Sequence, residues 1–245
     1  MDRNLAIDTL KRFCSFPLKT SVEVLKVFAD LPGAISCFDS GKHNFVYVPG
    51  TRQDRVLLVA HADTVWDEEY TQGSFDQVLI EKSGSLYGKN MACGIGADDR
   101  SGCAILWLLR NSGHSLLITD GEEIGSVASK HIISNYPSLF LELNEHCYMV
   151  QFDRRNFCDY KVYNLPVSQD FIEFIEKSTG YCDAGKKAST DIVKLCRDIC
   201  GVNLSVGYYN EHTPNESIVI DEWLNTLEIA EKMLSAPQKN YPLIK

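Results

Sequence analysis

Short apolar runs bounded by turn residues, recurring between segments of helical period, constrain the fold more than any other feature of this chain. RVLLVA at 55–60, SLLIT at 115–119 and CYMVQF at 147–152 have strand length and almost no polar alternation, the pattern of strands covered on both faces. AISCF at 34–38 and NFVYV at 44–48 precede them, with Gly41 and Pro49-Gly50 as turns; short strands are also expected near QVLIE at 77–81 and at NLSVGY, 203–208. Helical spacing covers 2–14, where the apolar positions Leu5, Ile7, Leu10 and Phe13 come close to it and Pro17 ends the pattern, and Ser21 to Ala29, stopped by Pro32 and Gly33. Further helices are expected over 99–113, closed by Gly113; over 127–136, terminated by Pro137; at 167–178 and 189–200; and across 218–236. This alternation predicts an α/β protein, a three-layer α/β/α sandwich around a central mixed, largely parallel sheet. No internal repeat, low-complexity stretch or Ser/Gly-rich linker interrupts it, so residues 1–245 are expected to form one domain.

In such sheets ligands bind in the crevice outside the carboxyl ends of the strands, which directs attention to the residues found there. His61 and Asp63 follow RVLLVA in the stretch HADTV; in extended chain they point the same way, so Asp63 can orient the imidazole. Alone, HxD describes a surface histidine beside an acid equally well. Asp98 and Asp99 open the helix at GADDRSG, where a helix cap competes with a bridging carboxylate role for Asp98, and Gly94 and Gly96 permit a tight backbone. Glu122 and Glu123 follow SLLIT in DGEEIG, Asp153 follows CYMVQ in FDRR, and His212 follows NLSVGYY in NEHTPNE. Two imidazoles and several carboxylates, each after an expected strand, are the residue types that hold divalent metals. His43, His114, His131 and His146 lack this context.

Charge and cysteine content narrow the alternatives. A net charge of -9 disfavours a surface that neutralises phosphates, so neither nucleic acid nor an anionic membrane is expected as a partner. No apolar stretch approaches membrane-spanning length and MDRNLAIDTLKRFC lacks signal-peptide order, so a cytoplasmic protein is expected. Nine cysteines without CxxC spacing argue against a disulfide framework or a zinc ribbon; Cys196 and Cys200, four apart on the expected helix, read as small core residues. Neither a GxSxG elbow nor a P-loop is present.

In this order, HADTV, GADDRSG, DGEEIG, FDRR and NEHTPNE resemble the metal-binding motifs of the co-catalytic zinc exopeptidases, a group of aminopeptidases, tripeptidases, carboxypeptidases and deacylases. The resemblance runs from about residue 55 to the last helix. It implies two divalent metal ions, zinc first with cobalt or manganese as alternatives, bridged by Asp98. His61 and Asp153 would complete one metal, and Glu123 and His212 the other. Asp63 would orient His61, and Glu122 would be the general base that deprotonates the attacking water. The substrate implied is a small peptide, cleaved as by an aminopeptidase. Only 36 residues separate His61 from Asp98 and 58 separate Asp153 from His212, too few for the oligomerisation or lid domains that relatives insert there. Carboxylate-recognising groups of the carboxypeptidase-like relatives come largely from the lid, which favours the aminopeptidase reading. A deacylase or carboxypeptidase on the same two metals, and a non-catalytic binding module, are the alternatives; the sequence is silent on oligomeric state. Tyr208 and Tyr209 stand near enough to His212 to offer a hydroxyl to an oxyanion, or are buried strand aromatics. Ser189, Thr190 and Asp191 begin a helix or support the site.

Overall fold

The structure, a computed structural model, describes residues 1–39, 41–66, 78–89 and 92–245. Its main sheet has eight strands: β1 (Ile35–Cys37), β2 (Phe45–Val48), β3 (Leu57–His61), β6 (Ser115–Thr119), β7 (Met149–Arg154), β8 (Asp159–Lys161), β9 (Cys182–Asp183) and β10 (Gly201–Ser205). They lie in the order β1-β2-β6-β3-β7-β10-β8-β9. The central β6, β3, β7 and β10 are parallel, while β1, β2 and β8 join antiparallel. A mixed, largely parallel sheet is thus what the apolar runs specify. Alternate residues of these strands enter opposite cores: Leu58, Ala60, Leu116, Ile118, Val150 and Phe152 on one face, Leu57, Val59, Leu117 and Met149 on the other.

On the first face α3 (Ala97–Leu109) packs on β3 and β7 and against α1 (Arg3–Cys14) and α8 (Ile220–Ser235), with α2 (Ser21–Ala29) on β2 and β6 and α6 (Gln169–Thr179) on α8. On the second face lie α4 (Val127–Asn135), α5 (Pro137–Leu143) and α7 (Asp191–Leu195). The chain leaves β3, at the middle, for β6 on one side and β7 lies on the other, so the carboxyl ends of β3, β6 and β7 border the switch point where such sheets hold ligands.

Several boundaries differ from those expected. Pro137 ends α4 but also opens α5, where its fixed φ suits the first helical turn and its missing N–H costs nothing. The helix expected over 189–200 is only the five residues of α7; Cys196 is already extended, at φ -72° and ψ 111°, and the chain turns back. Cys196 and Cys200 therefore do not share a helix face, although both are buried. Gln77 of the expected QVLIE strand lies outside the described residues, and β4 (Leu79–Lys82) begins two residues later. NLSVGY is not one strand: Gly207, at φ +84°, separates β10 from β11 (Tyr208–Tyr209), and Ser217–Val219, expected in part as helix, is β12. With β5 (Ser85–Gly88) these form a second sheet, β11-β12-β5-β4, that the sequence did not announce. No helix among the described residues is long and apolar enough to cross a membrane.

His146 anchors β6 from beneath the second face. It is 2% exposed, its Nδ1–H donates to the Glu142 and Leu143 carbonyls at 3.1 Å, and its Nε2 accepts from Ser115 Oγ at 2.7 Å. Burial and then the Arg55 charge push its pKa down to about 4. The unfolded chain takes up that proton near pH 6.5, so the stability the neutral ring contributes is complete above that pH and is lost as pH falls toward about 4. Urea titrations between pH 7 and 4 should show a steeper acid loss in the wild type than in His146→Gln, the difference approaching roughly 3 kcal/mol; parallel curves would contradict a neutral buried ring.

Candidate metal centre

Five chain segments deliver acidic and imidazole side chains to the edge formed by β3, β6 and β7. His61 is the last residue of β3 and 1% exposed. Its Nδ1–H donates to the Asp63 carbonyl at 3.1 Å, with the Asp63 carboxylate at 3.3 Å. That fixes Nε2 as the lone-pair nitrogen facing the cleft, 3.2 Å from Asp98 Oδ1 and 3.4 Å from Asp153 Oδ1. The second imidazole, His212, sits in the loop between β11 and β12, and its Nε2 is 3.2 Å from Asp98 Oδ2 and 3.0 Å from both Glu123 oxygens. Asp98 thus lies between the two rings, one oxygen toward each.

The backbone around Asp98 is shaped for this. Asp98 and Asp99 stand within the first turn of α3 but have non-helical dihedrals, and the peptide between them is cis. Glu216, 1% exposed, accepts from Gly96 N at 2.8 Å through one oxygen and from Asp98 N at 3.0 Å through the other. A Cβ on Gly94 would meet a Glu216 oxygen at 2.2 Å, so the glycine is required for that carboxylate to fit. Asp99, in reach of His61 and Asp153, has both oxygens engaged, accepting from Gly102 N at 3.0 Å and His61 N at 3.1 Å. Arg100, fully buried, donates from Nε to the Ala62 carbonyl at 2.8 Å and pins the turn between His61 and Asp63.

Asp63 has a second task. Its carboxylate oxygens accept from Glu122 N at 3.1 Å and Glu123 N at 3.2 Å, which clamps the chain after β6 against the end of β3. Glu123 then turns toward His212, while Glu122 lines the cleft beside Asp98 and Asp153. Burial, and then the carboxylates of Asp153, Asp191 and Asp98, push the Glu122 carboxyl well above the usual range, partly opposed by His61.

Asp153 lies inside β7, not after it, and a bulge presents it. Asn203 pairs with Gln151 but Ser205 with Arg154, so β7 carries one extra residue here. The buried Asn203 amide spans the irregularity, accepting from Asp153 N at 2.9 Å and donating to the Asp153 carbonyl at 2.8 Å. Asp153 Oδ2 accepts from Gln151 Nε2 and Thr190 Oγ1, both at 2.9 Å, and Tyr208 O–H points at Oδ1 from 3.4 Å. Thr190 therefore touches a site carboxylate, Tyr208 faces the cleft, and Tyr209 turns away to donate to Glu222 at 2.6 Å.

All seven residues singled out in the sequence meet in one place. Ligand atoms lie within 4.8 Å of one another in two groups, His61, Asp153 and the unpredicted Asp99, and Asp98, Glu123 and His212, with Asp63 behind and Glu122 beside them. Not recognised were Glu216, Asn203, Gln151 and Arg100; polar residues inside the apolar strands CYMVQF and GVNLS, and the last residue of NEHTPNE, were the available signals. The donor set fits divalent cations. Asp98 Oδ1 is buried without a hydrogen-bond partner, and nitrogen and oxygen donors without a thiolate suit zinc, cobalt or manganese.

No protein-family model matches the chain, and no curated protein matches it in sequence. Solved structures do. The aminopeptidase PepT from Bacillus cereus superposes with a TM-score of 0.69 at 14% identity, over 96% of this chain and 98% of that one. A tripeptidase from Staphylococcus aureus gives 0.68 at 13% identity, over 96% and 98%. An aminopeptidase from the archaeon Desulfurococcus kamchatkensis gives 0.63 at 12%, over 95% of each chain. The chain therefore has the fold of these exopeptidases, as its motifs implied.

Because Glu216 satisfies two buried N–H groups on the turn that presents Asp98, Glu216→Gln should destabilise the protein by about 2–5 kcal/mol. It should also weaken divalent-metal binding roughly 10- to 100-fold, measured by competition with a chelating dye. An unchanged metal affinity would remove Glu216 from the support of the site.

Proposed function

We propose that the protein is a two-metal exopeptidase acting on small peptides, with residues 1–245 as its catalytic domain. The observation that carries this reading is Asp98, whose two carboxylate oxygens each stand 3.2 Å from a different imidazole Nε2. In this reading Asp98 would be shared between two metals, with His61 and Asp153 holding one and Glu123 and His212 the other. Two bound cations, zinc by preference, would polarise the scissile carbonyl and lower the pKa of a shared water. The residues of the chain do the remainder. Asp63 holds His61 in the tautomer that offers Nε2 and fixes the peptide units of Glu122 and Glu123. Glu122, not needed as a ligand, accepts a proton at its carboxylate as water attacks and returns it to the leaving amine. Its desolvated surroundings raise its proton affinity above that of an ordinary carboxylate, the direction a general base requires. The Tyr208 hydroxyl, which lines the cleft 3.4 Å from Asp153 Oδ1, would be the donor offered to the oxygen that gains charge.

Aminopeptidase action is favoured because the similar folds include aminopeptidases and a tripeptidase. Free thiols at all nine cysteines are consistent with a reducing, cytoplasmic setting. A deacylase with the same metals is the second reading, since nothing in the donor set distinguishes a peptide from an N-acyl amide. Di- and tripeptides, aminoacyl-arylamides and N-acyl amino acids, assayed side by side with added zinc, cobalt or manganese, test both. Turnover of N-acyl compounds alone would reject the exopeptidase.

The two adjacent glutamates should separate cleanly. Glu122→Gln should retain both metals, counted by elemental analysis, and lose activity by at least 100-fold. Glu123→Gln should lose about one metal equivalent. Equal metal loss in the two variants would refute the division of roles. Chelator dialysis should abolish turnover, and stoichiometric metal should restore it; activity that survives complete metal removal would defeat the two-metal reading.

A further inference from the structure

A cavity of about 290 Å³ is lined by Glu122, Asp98 and His212. Arg154, Arg155 and, from β8, Lys161 add basic groups to the same lining. Arg154 is satisfied by Asp159 through two hydrogen bonds, at 2.6 and 3.0 Å, and Arg155 by Glu211 at 2.7 Å. Lys161 is different. It is 9% exposed, its Nζ donates to the Lys187 carbonyl at 2.7 Å, and no carboxylate among the described residues forms an ion pair with it. The nearby acids are committed elsewhere, Asp159 to Arg154 and Asp183 to Gly185 N at 2.8 Å. The Tyr163 ring lies 5.8 Å from Nζ and Arg154 and Arg155 crowd the same wall, so an ammonium with one hydrogen bond and no paired carboxylate is left for a ligand anion in the cavity to satisfy.

We infer that Lys161 binds a carboxylate of the substrate. This deepens the exopeptidase reading and rests on it. Lys161, Asn203 and Gln151 are paired neighbours across β8, β10 and β7, so the row runs from the support of Asp153 out to Lys161. Two strand spacings amount to about 10 Å. Extended peptide advances about 3.4 Å per residue. A carboxylate at Lys161 therefore lies two or three residues beyond a bond cleaved beside Asp153, which fits the free C-terminus of a tripeptide or tetrapeptide. An acidic side chain is the other source of the same group. The chain would thus supply within one sheet the carboxylate recognition that its sequence left to a missing lid, and peptide length would be limited by the distance between the two ends of the cavity.

The test compares trialanine with trialanine amide, and Ala-Ala-Gln amide with Ala-Ala-Glu amide, in wild type, Lys161→Met and Lys161→Arg. Wild type should prefer the free acid, and Lys161→Met should reduce the acid-to-amide ratio of kcat/KM at least tenfold, chiefly through KM. Lys161→Arg should restore part of it, and circular dichroism should show all three folded. Preference for Ala-Ala-Glu amide over Ala-Ala-Gln amide, lost in Lys161→Met, would support the carboxylate site and identify the side chain as its source. Equal effects of Lys161→Met on the two members of both pairs would overturn the inference. Calorimetric titration of Glu122→Gln with trialanine and its amide reads binding without turnover. A preference for the acid there, abolished by Lys161→Met, would support the site even if wild type hydrolysed no peptide, which would instead refute the exopeptidase.

Discussion

Carboxylates can be crowded into a buried rim only if each oxygen has a donor or a cation to face, and that requirement organises the rest of the molecule. Asp63, Asp99, Asp120, Asp191 and Glu216 are all within 3% of complete burial at or near the carboxyl edge of the central strands. Asp63 faces the N–H groups of Glu122 and Glu123, Asp99 those of His61 and Gly102, and Glu216 those of Gly96 and Asp98. Asp191 takes the hydroxyls of Thr119 and Ser129, and Asp120 takes Asn44 Nδ2 and Gly121 N. These acids are braces. Against them, Asp98 Oδ1 has no hydrogen-bond partner and faces the His61 Nε2, while Oδ2 faces the His212 Nε2. The contrast sets Asp98 apart from the framework acids, whereas Asp153 is held by Gln151 and Thr190 much as the braces are.

The same contrast explains what was legible in the sequence. Continuous apolar strands such as SLLIT announce themselves because burial on both faces leaves no polar position, and residues directly after them are placed by chain continuity alone. His61, Glu122 and Glu123 belong to this class. Asp153 was found for the right type but in the wrong place: the bulge that turns it toward His61 depends on Asn203, fifty residues away, and register irregularities leave no local mark. Glu216 was hidden for a related reason. It acts through backbone N–H groups more than a hundred positions earlier in the chain, a pairing that only the folded loops create.

The misjudged helix at 189–200 shows how tertiary demands override spacing. Apolar residues at Ile192, Leu195, Cys196, Ile199 and Cys200 fit a helix, yet β10 must begin at Gly201, directly against Cys196, whose Sγ would lie 2.5 Å from a Cβ there. The chain therefore reverses within five residues, and the apolar side chains enter the core from a loop. The shortened helix also serves the site: its first residues put Thr190 on Asp153 and Asp191 on Thr119, joining β7 to β6 across the switch point.

The polarity of the cavity follows from where β8 joins the sheet. Parallel strands direct their carboxyl ends to one edge and collect the acids there, but β8 runs antiparallel to β10 and brings Lys161 to the flank of that edge by pairing with Asn203. An acidic, metal-compatible end and a basic end are thereby held on neighbouring strands of one sheet, at a spacing set by backbone hydrogen bonds. In the proposed reading, the carboxylate of a short peptide would meet Lys161 while its scissile bond lay at the acidic residues, so the strand spacing along Gln151, Asn203 and Lys161 would set the length accepted.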